Sequence, residues 1–302
     1  MEAIWKLEIT IEDFEYKNIE EVKTLINYSN EDEGLLTILK NSIYNFAYIA
    51  YIDSNLVGII FTWRSNYHEN SINFRLLSNP LYFAYEIEKE LLKQLETKGM
   101  NLPLKTSIWE TSVTLKQLYE KKLFKEIRRT YMPSLDLEMI IEDKKYKKIT
   151  DSNKIKTLKE IQSINSLMRD LSIIVKRNYE DTHRIDPIAT LGLEEWQKLI
   201  LAEDIIGNGS YVLLDDESNE ILAYTFLHES ESKDAYELGW CGSSNQLNKK
   251  LIIHLVFEQI KFAANQNVKT LIGEFDNTDY FAMEVFKSFP FKTTPTWITF
   301  MK

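Results

Sequence analysis

The chain has 302 residues, of which 44% are hydrophobic and 27% charged, and its formal net charge at pH 7 is -10. This length and composition predict a soluble globular protein with room for two domains of ordinary size. The acidic balance argues against nucleic acid as the main partner, because phosphate contacts need clustered Lys and Arg.

Targeting and redox features point to the cytoplasm. No apolar run reaches the roughly 20 residues that a membrane helix needs, and the first residues lack the pattern of a signal peptide. Cys241 is the only cysteine. We therefore expect a cytoplasmic protein with no membrane contact, no internal disulfide and no metal site.

The first half of the chain predicts a mixture of strands and helices. Its clearest feature is a hairpin, in which the β-rich runs Phe46–Ile52 and Leu56–Phe61 are joined by the small polar residues 53–55. Periodicity predicts further strands over residues 1–10, Ser71–Leu77, Leu104–Trp109 and Glu126–Leu137. It predicts helices over Ile11–Asn27, Leu35–Tyr44, Tyr82–Gly99 and Val113–Leu123.

The second half repeats this order of elements without repeating the residues. Predicted strands are Tyr211–Leu214, Ile221–Leu227, Ala235–Cys241, Thr270–Phe275 and Thr296–Phe300. Predicted helices are Lys156–Tyr179, Leu193–Ala202, Leu247–Asn267 and Asp279–Ser288. The duplication predicts two α+β domains, 1–138 and 149–302, joined by a charged linker at 139–148.

A polar loop, Gly242–Lys250, lies between the strand Ala235–Cys241 and a long amphipathic helix. Amides in the first turn of a helix have no acceptor within the helix, so this arrangement commonly holds an anion. The loop contains no acid, Ser244 or Asn245 is a possible helix cap, and Lys249 and Lys250 add positive charge. We therefore predict a site for the diphosphate of a nucleotide-like cofactor.

The stretch 235–291 resembles the second half of the GNAT acyltransferase fold, whose loop pattern is Val-x-Pro-x-x-(Arg/Gln)-x-x-Gly-x-(Gly/Ala). Cys241 stands near the Val, Ser243 at the Pro and Gln246 at the Arg/Gln, while Lys249 and Leu251 replace the two glycines. Downstream, Asp279 stands at the family's Asn. The resemblance implies two GNAT-like domains, each a mixed and mostly antiparallel sheet flanked by helices, with acetyl-CoA as co-substrate. The cofactor-binding residues that it implies are Trp240, Cys241, Gly242, Ser243, Gln246, Leu247, Asn248, Lys249, Lys250, Leu251 and Asp279.

The resemblance also implies two catalytic residues. Glu237, in the middle of its strand, stands near the family's general base, and Tyr119 falls where many members have the tyrosine that protonates the departing thiolate. Each has a structural alternative, since Glu237 also fits a solvated strand position and Tyr119 fits the apolar face of its helix. In the second half the tyrosine position is Phe286, which has no proton to donate.

The first half is the weaker candidate for the cofactor. Pro80 keeps the Pro position, but Glu86 and Glu88 replace the two glycines, and two carboxylates there would repel a diphosphate. We therefore expect a degenerate first domain and an N-acyltransferase site in the second, which moves an acetyl group to an amine of a small molecule or a peptide. The alternative is a non-catalytic GNAT-like module that binds a small ligand or a protein. The acceptor, the active half and the oligomeric state are left open.

Overall fold

The structure is a computed structural model, and it describes residues 8–28, 34–142 and 154–302. The chain divides into two compact units, one formed by Met1–Ile127 with Thr299–Lys302 and the other by Arg128–Ile298. The boundaries expected from the sequence, 1–138 and 149–302, stay a prediction, because compactness alone does not define which segment folds independently. Of the expected linker, residues 143–148 lie outside the described ranges.

The elements of the first half are, in chain order, β1 (Thr10–Asp13), α1 (Ile19–Tyr28), α2 (Gly34–Lys40), β2 (Tyr44–Ile52), β3 (Asn55–Trp63), β4 (Ile72–Ser78), α3 (Ile87–Thr97), β5 (Leu104–Trp109), α4 (Val113–Lys121) and β6 (Lys125–Tyr131). The elements of the second half are β7 (Ser134–Asp136), α5 (Leu137–Glu142), β8 (Ile155–Thr157), α6 (Leu158–Ile161), α7 (Asn165–Thr182), α8 (Leu193–Ile200), β9 (Tyr211–Leu214), β10 (Ile221–Glu229), β11 (Ala235–Ser243), α9 (Leu251–Asn265), β12 (Thr270–Gly273), β13 (Phe275–Asp276), α10 (Tyr280–Ser288) and β14 (Trp297–Met301).

The first unit is built on a mixed sheet. Strands β1 to β4 are antiparallel neighbours in chain order, β5 runs parallel to β4, and β14 follows β5 in the sheet order. Helices α1 and α2 bury apolar residues such as Val22, Leu25 and Leu39 against Ile49, Ile59 and other residues of β2 and β3. The hairpin predicted around residues 53–55 is confirmed as β2 and β3.

Three predicted helices of the first half are wrong at one end. The predicted helix Tyr82–Gly99 begins only at Ile87, after Glu86, whose φ is 53°. The predicted helix Ile11–Asn27 begins only at Ile19, because Thr10–Asp13 pairs with β2 as an edge strand. The predicted helix Leu35–Tyr44 ends at Lys40, where Ser42 has the left-handed backbone (φ 53°) that terminates helices, and Tyr44 already belongs to β2. The predicted strand over residues 1–10 lies mostly outside the described residues.

The second unit contains a six-stranded sheet in the order β7-β12-β11-β10-β9-β8. All neighbours in it are antiparallel except β11 and β12, which are parallel and connected through α9. One cluster of apolar residues joins the sheet to α9 and α10, and a second joins it to α6, α7 and α8. Both units are therefore mixed sheets flanked by helices, and the predicted α+β class is confirmed.

Two predicted helices of the second half are also corrected. The predicted helix Lys156–Tyr179 is broken into β8, α6 and α7, and Thr157 with Glu160 forms a capping box that starts α6. The predicted helix Leu247–Asn267 begins at Leu251, after a 3₁₀ turn at Gln246–Asn248. Within the described ranges, no helix is both long enough and apolar enough to cross a membrane.

Candidate functional site

Strands β11 and β12 separate where the predicted cofactor site begins. Their parallel pairing runs from Ala235 opposite Thr270 to Leu238 opposite Gly273, and β12 ends there. Strand β11 continues to Ser243 and, among the described residues, pairs along that stretch with β10 alone. Beyond Leu238 no described strand therefore pairs with it on the β12 side, and an edge of this kind accepts an extended ligand that carries amides.

A bulge lies at the point of separation. Thr225 is opposite Cys241 and Leu227 is opposite Leu238, so Gly239 and Trp240 of β11 face a single residue of β10. A bulge bends its strand and directs backbone groups away from the ladder. The bulge, the exposed edge and the loop at the end of β11 thus follow one another along about 13 Å of strand, at roughly 3.3 Å per residue.

Helix α7 fixes the start of the loop. The Arg177 guanidinium donates to the Ser244 carbonyl at 2.6 Å, and the Asn178 side-chain amide donates to the Ser243 carbonyl at 3.1 Å. Gly242 allows this approach, because a Cβ atom there would lie 2.3 Å from the Asn178 amide nitrogen and 2.6 Å from the Tyr224 hydroxyl. These hydrogen bonds hold the start of the loop in place on the side of α7. Arg177 and Asn178 lie too far from the loop in the sequence for a local pattern to identify them.

The side chain of Asn245 accepts hydrogen bonds from two of the loop amides. Its side-chain oxygen accepts hydrogen bonds from the Leu247 amide at 3.0 Å and the Asn248 amide at 3.2 Å. The Lys249 amide donates to the Gln246 carbonyl at 3.4 Å, whereas the Lys250 amide has no acceptor among the described residues. Asn245 therefore stands where an anion would bind, and a ligand must displace its carboxamide to reach these donors.

The side chains of the loop differ in availability. Leu247 is 93% exposed, and Gln246 and Lys250 are also exposed. Lys249 is paired with Glu284, its Nζ lying 2.9 Å from a carboxylate oxygen. Lys250 has no carboxylate partner within the part of the chain that the structure describes. Its positive charge is therefore open to an incoming anion.

Asp279 acts as the N-cap of α10. Its carboxylate accepts from the Phe281 amide at 2.8 Å and from the Ala282 amide at 3.0 Å. Burial raises the pKa of Asp279 to about 6, with a smaller contribution from the charge of Asp276, although the two amides oppose the shift. The capping geometry explains the residue without a ligand, so its contact with a cofactor stays a prediction.

Cys241 and Trp240 point to opposite sides of β11. Cys241 is buried in the cluster of apolar residues that joins the sheet to α9, and burial, followed by the charge of Asp279, raises the pKa of its thiol well above the ordinary value. Such a thiol stays protonated and is a poor nucleophile. Trp240 is 37% exposed, and its ring centre lies 5.2 Å from that of Tyr179 and 5.8 Å from that of Trp196.

The two predicted catalytic residues lie in different units. Glu237 of the second unit is half-buried, opposite His228 on one side and Ile272 on the other. Tyr119 of the first unit is fully buried, with its ring 5.4–5.8 Å from those of Phe74, Phe124 and Phe300.

Glu237 lies near the carboxyl group of Glu274. The pKa of Glu274 is raised, first by loss of hydration at its carboxyl group and then by the charges of Glu237 and Asp276, while the charge of Arg128 opposes the shift. Arg128 is also paired with Asp276, at 3.5 Å. The charge nearest to Glu237 in this group is therefore that of a second carboxylate.

A further pair of residues was missed by the sequence analysis. His228 of β10 has its Nδ1 2.8 Å from a carboxylate oxygen of Asp204, and this hydrogen bond lowers the pKa of the carboxyl group. The two residues are 24 positions apart, so no local pattern in the sequence relates them. The backbone places them together, since the Glu229 amide donates to the Asp204 carbonyl at 2.8 Å.

The first unit has a similar strand geometry and different chemistry. Strands β4 and β5 pair only at Ile72 and Asn73 before they separate. The following helix α3 begins after Glu86, whose φ is 53°, and Glu88 of its first turn is hydrogen-bonded to Ser78. Two carboxylates at the start of this helix would repel a diphosphate, and the expected degeneracy of the first domain stays a prediction.

Comparison with solved structures identifies the class of fold. The chain is similar to a GCN5-related N-acetyltransferase from Sphaerobacter thermophilus, at 10% identity and a TM-score of 0.64, over 97% of this chain and 95% of that one. It is similar to a tandem GNAT protein from the clavulanic acid biosynthesis pathway, at 11% identity and a TM-score of 0.59, over 98% of both chains.

A third similar structure is the GCN5-related glucosamine N-acetyltransferase region of a fungal multi-domain β-N-acetylglucosaminidase, at 14% identity and a TM-score of 0.65. That match covers 100% of this chain and 39% of that one. No protein-family model and no curated protein matches the sequence. At these identities the likeness shows the fold, and the predicted tandem GNAT fold is confirmed.

Proposed function

We propose that the protein is an acetyl-CoA-dependent N-acyltransferase and that its second unit binds the thioester. The observation that carries this proposal is the order of features along β11: a bulge at Gly239–Trp240, an unpaired strand edge, and a loop that opens α9. A long ligand with a diphosphate at one end and amides along its length matches that order. The N-acetyltransferases with the same fold support the same class of reaction.

The loop would hold the charged end of the substrate. Exposed Lys250 attracts the phosphates, and the amides of Leu247, Asn248 and Lys250 donate to them once the Asn245 carboxamide has turned away. Arg177 and Asn178 hold the loop in position through their hydrogen bonds to the two serine carbonyls. The extended part of the substrate then lies along β11 and brings its thioester to the bulge.

The acceptor is an amine, carried by a small molecule or a peptide. Catalysis in such a site comes mainly from holding the amine against the thioester carbonyl and from removing its proton. The carboxylate of Glu237, with Glu274 near it, favours a cationic amine, because opposite charges attract. We propose Glu237 as a group that contacts this amine, and we assign no step in the second unit to Tyr119.

Isothermal titration with acetyl-CoA tests the proposal. We expect about one molecule bound per chain and a loss of at least tenfold in affinity in the double variant Lys249→Glu with Lys250→Glu. The matched control is Lys233→Glu with Lys269→Glu, which changes the net charge equally with exposed lysines near the other end of β11. Equal losses in both double variants, or no binding to the wild type, would refute the site.

A specific observation also favours a non-catalytic module. Asn245 already satisfies two loop amides, and Phe286, at the position of the family's tyrosine, stacks on Tyr131 at 5.0 Å. Under this alternative the loop no longer binds an anion. A melting temperature that no CoA ester changes would support it, since a ligand of the folded state raises that temperature.

A further inference from the structure

An oriented imidazole lies at the bulge of β11. The Nδ1 of His228 is 2.8 Å from the carboxylate of Asp204, and 23% of the histidine side chain is exposed. A carboxylate accepts hydrogen bonds, so it holds the proton on Nδ1 and leaves the Nε2 lone pair unprotonated in the neutral ring. The imidazole is thus fixed in the tautomer that accepts a proton at Nε2.

Gly239 permits this position. A Cβ atom on residue 239 would lie 2.3 Å from the His228 Nε2 and 2.4 Å from its Cδ2. Both distances are too short for contacts between atoms that are not bonded to each other. The ring therefore rests against the backbone of the bulge, where β12 has just left β11. Glu237 is directly opposite His228 on the neighbouring strand, so the two side chains share a face of the sheet.

We propose that His228, positioned by Asp204, is the base that deprotonates the acceptor amine; this inference rests on the proposed function. The acceptor ammonium gives one proton to Nε2, and its nitrogen lone pair forms a bond to the thioester carbonyl carbon. The carbon–sulfur bond then breaks, and the thiolate leaves with the electron pair and takes a second proton from the nitrogen. The products are the N-acetyl amide and CoA thiol, and the imidazolium returns its proton to solvent.

The charges around the ring fit this role. Among the described residues, Asp204, on the segment before β9, and Glu237, on β11, bring negative charge to the imidazole from neighbouring elements. Both stabilise the imidazolium once it forms. Imidazole is ordinarily a stronger base than a carboxylate, so His228 takes the proton while Glu237 holds the cationic substrate.

Three variants test the assignment. His228→Gln removes the base, and Asp204→Asn keeps a hydrogen-bonding side chain without the charge. Gly239→Ala displaces the ring with a single methyl group, and because the ring is the mobile end of a side chain the fold should survive. His254→Gln on α9 is the matched control.

The first readout needs no substrate. The chain has four histidines, so long-range proton–nitrogen NMR spectra of the wild type and His228→Gln assign the His228 ring. We expect a proton on Nδ1 and none on Nε2 in the wild type, and a mixture of tautomers in Asp204→Asn. A proton on Nε2 in the wild type would overturn the proposal.

The second readout is release of CoA from acetyl-CoA with water as the acceptor, since a base at the bulge also activates water. We expect a rate lower by roughly 100-fold in His228→Gln, with unchanged acetyl-CoA affinity, and a similar loss of rate in Gly239→Ala.

The outcomes separate the two proposals. If acetyl-CoA binds and the rate in His228→Gln equals that of the wild type and of His254→Gln, the base assignment is wrong and the proposed function stands. If the wild type does not bind acetyl-CoA, both fall.

Discussion

Replacement of Asn245 by alanine should strengthen the binding of acetyl-CoA. In the free protein the Asn245 side-chain oxygen lies 3.0 Å from the Leu247 amide and 3.2 Å from the Asn248 amide. A diphosphate that uses these donors must first displace the carboxamide. Alanine has no acceptor, so in Asn245→Ala the same amides are open before the ligand arrives.

The magnitude follows from two opposing effects. Loss of an N-cap costs the folded state about 1 kcal/mol, which lowers the melting temperature by roughly 2–4 °C in a protein of this size. Two hydrogen bonds that no longer need to be broken, at about 0.5–1.5 kcal/mol each, favour binding by about 1–3 kcal/mol. The dissociation constant should therefore fall by roughly 5- to 150-fold.

The assay is calorimetric titration of the wild type and Asn245→Ala with acetyl-CoA, together with thermal unfolding. Thr157→Ala is the matched control, because Thr157 caps α6 through the Glu160 amide and lies outside the loop. It should lose the same stability without any change in affinity. Unchanged or weaker binding to Asn245→Ala, at normal affinity in the control, would refute the argument that Asn245 competes with the ligand.

Two further predictions concern buried groups. The pKa of Asp279 is about 6 instead of 3.8, so the stability it contributes is full below pH 4 and lost as the pH rises through 6. Asn at this position forms a cap but does not titrate. The free energy of unfolding of Asp279→Asn, measured with urea, should therefore rise relative to that of the wild type by up to about 3 kcal/mol between pH 4 and 8. A constant difference over that range would contradict this. Tyr119→Phe should leave acetyl-CoA turnover within about twofold, because the ring is enclosed by Phe74, Phe124 and Phe300 and its unit is not the proposed site; a large fall in kcat at constant KM would instead support the predicted proton donor.

Local patterns were sufficient for much of the fold. The hairpin of β2 and β3 follows from two β-rich runs and a short polar turn, and Asp53 and Ser54 have the positive φ that such a turn requires. The order of strand, loop and helix around Ala235–Asn265 was also apparent from periodicity. These features depend on residues that are close together in the chain.

Features set by distant residues could not be predicted in this way. Thr10–Asp13 became a strand because β2 offered a partner, although its local pattern suited a helix. The Asp204–His228 pair depends on the segment before β9 meeting the end of β10, where the Glu229 amide donates to the Asp204 carbonyl at 2.8 Å. Asn245 was recognised as a possible cap, but its competition with an anion became apparent only from the two amide distances.

A crystal structure of the protein grown with CoA would show directly whether the loop before α9 binds the cofactor. We expect electron density for the diphosphate in front of residues 246–251, against the amides of Leu247, Asn248 and Lys250, with the Asn245 side chain turned away. Density at Glu86 and the start of α3, or none at either loop at saturating CoA, would contradict it.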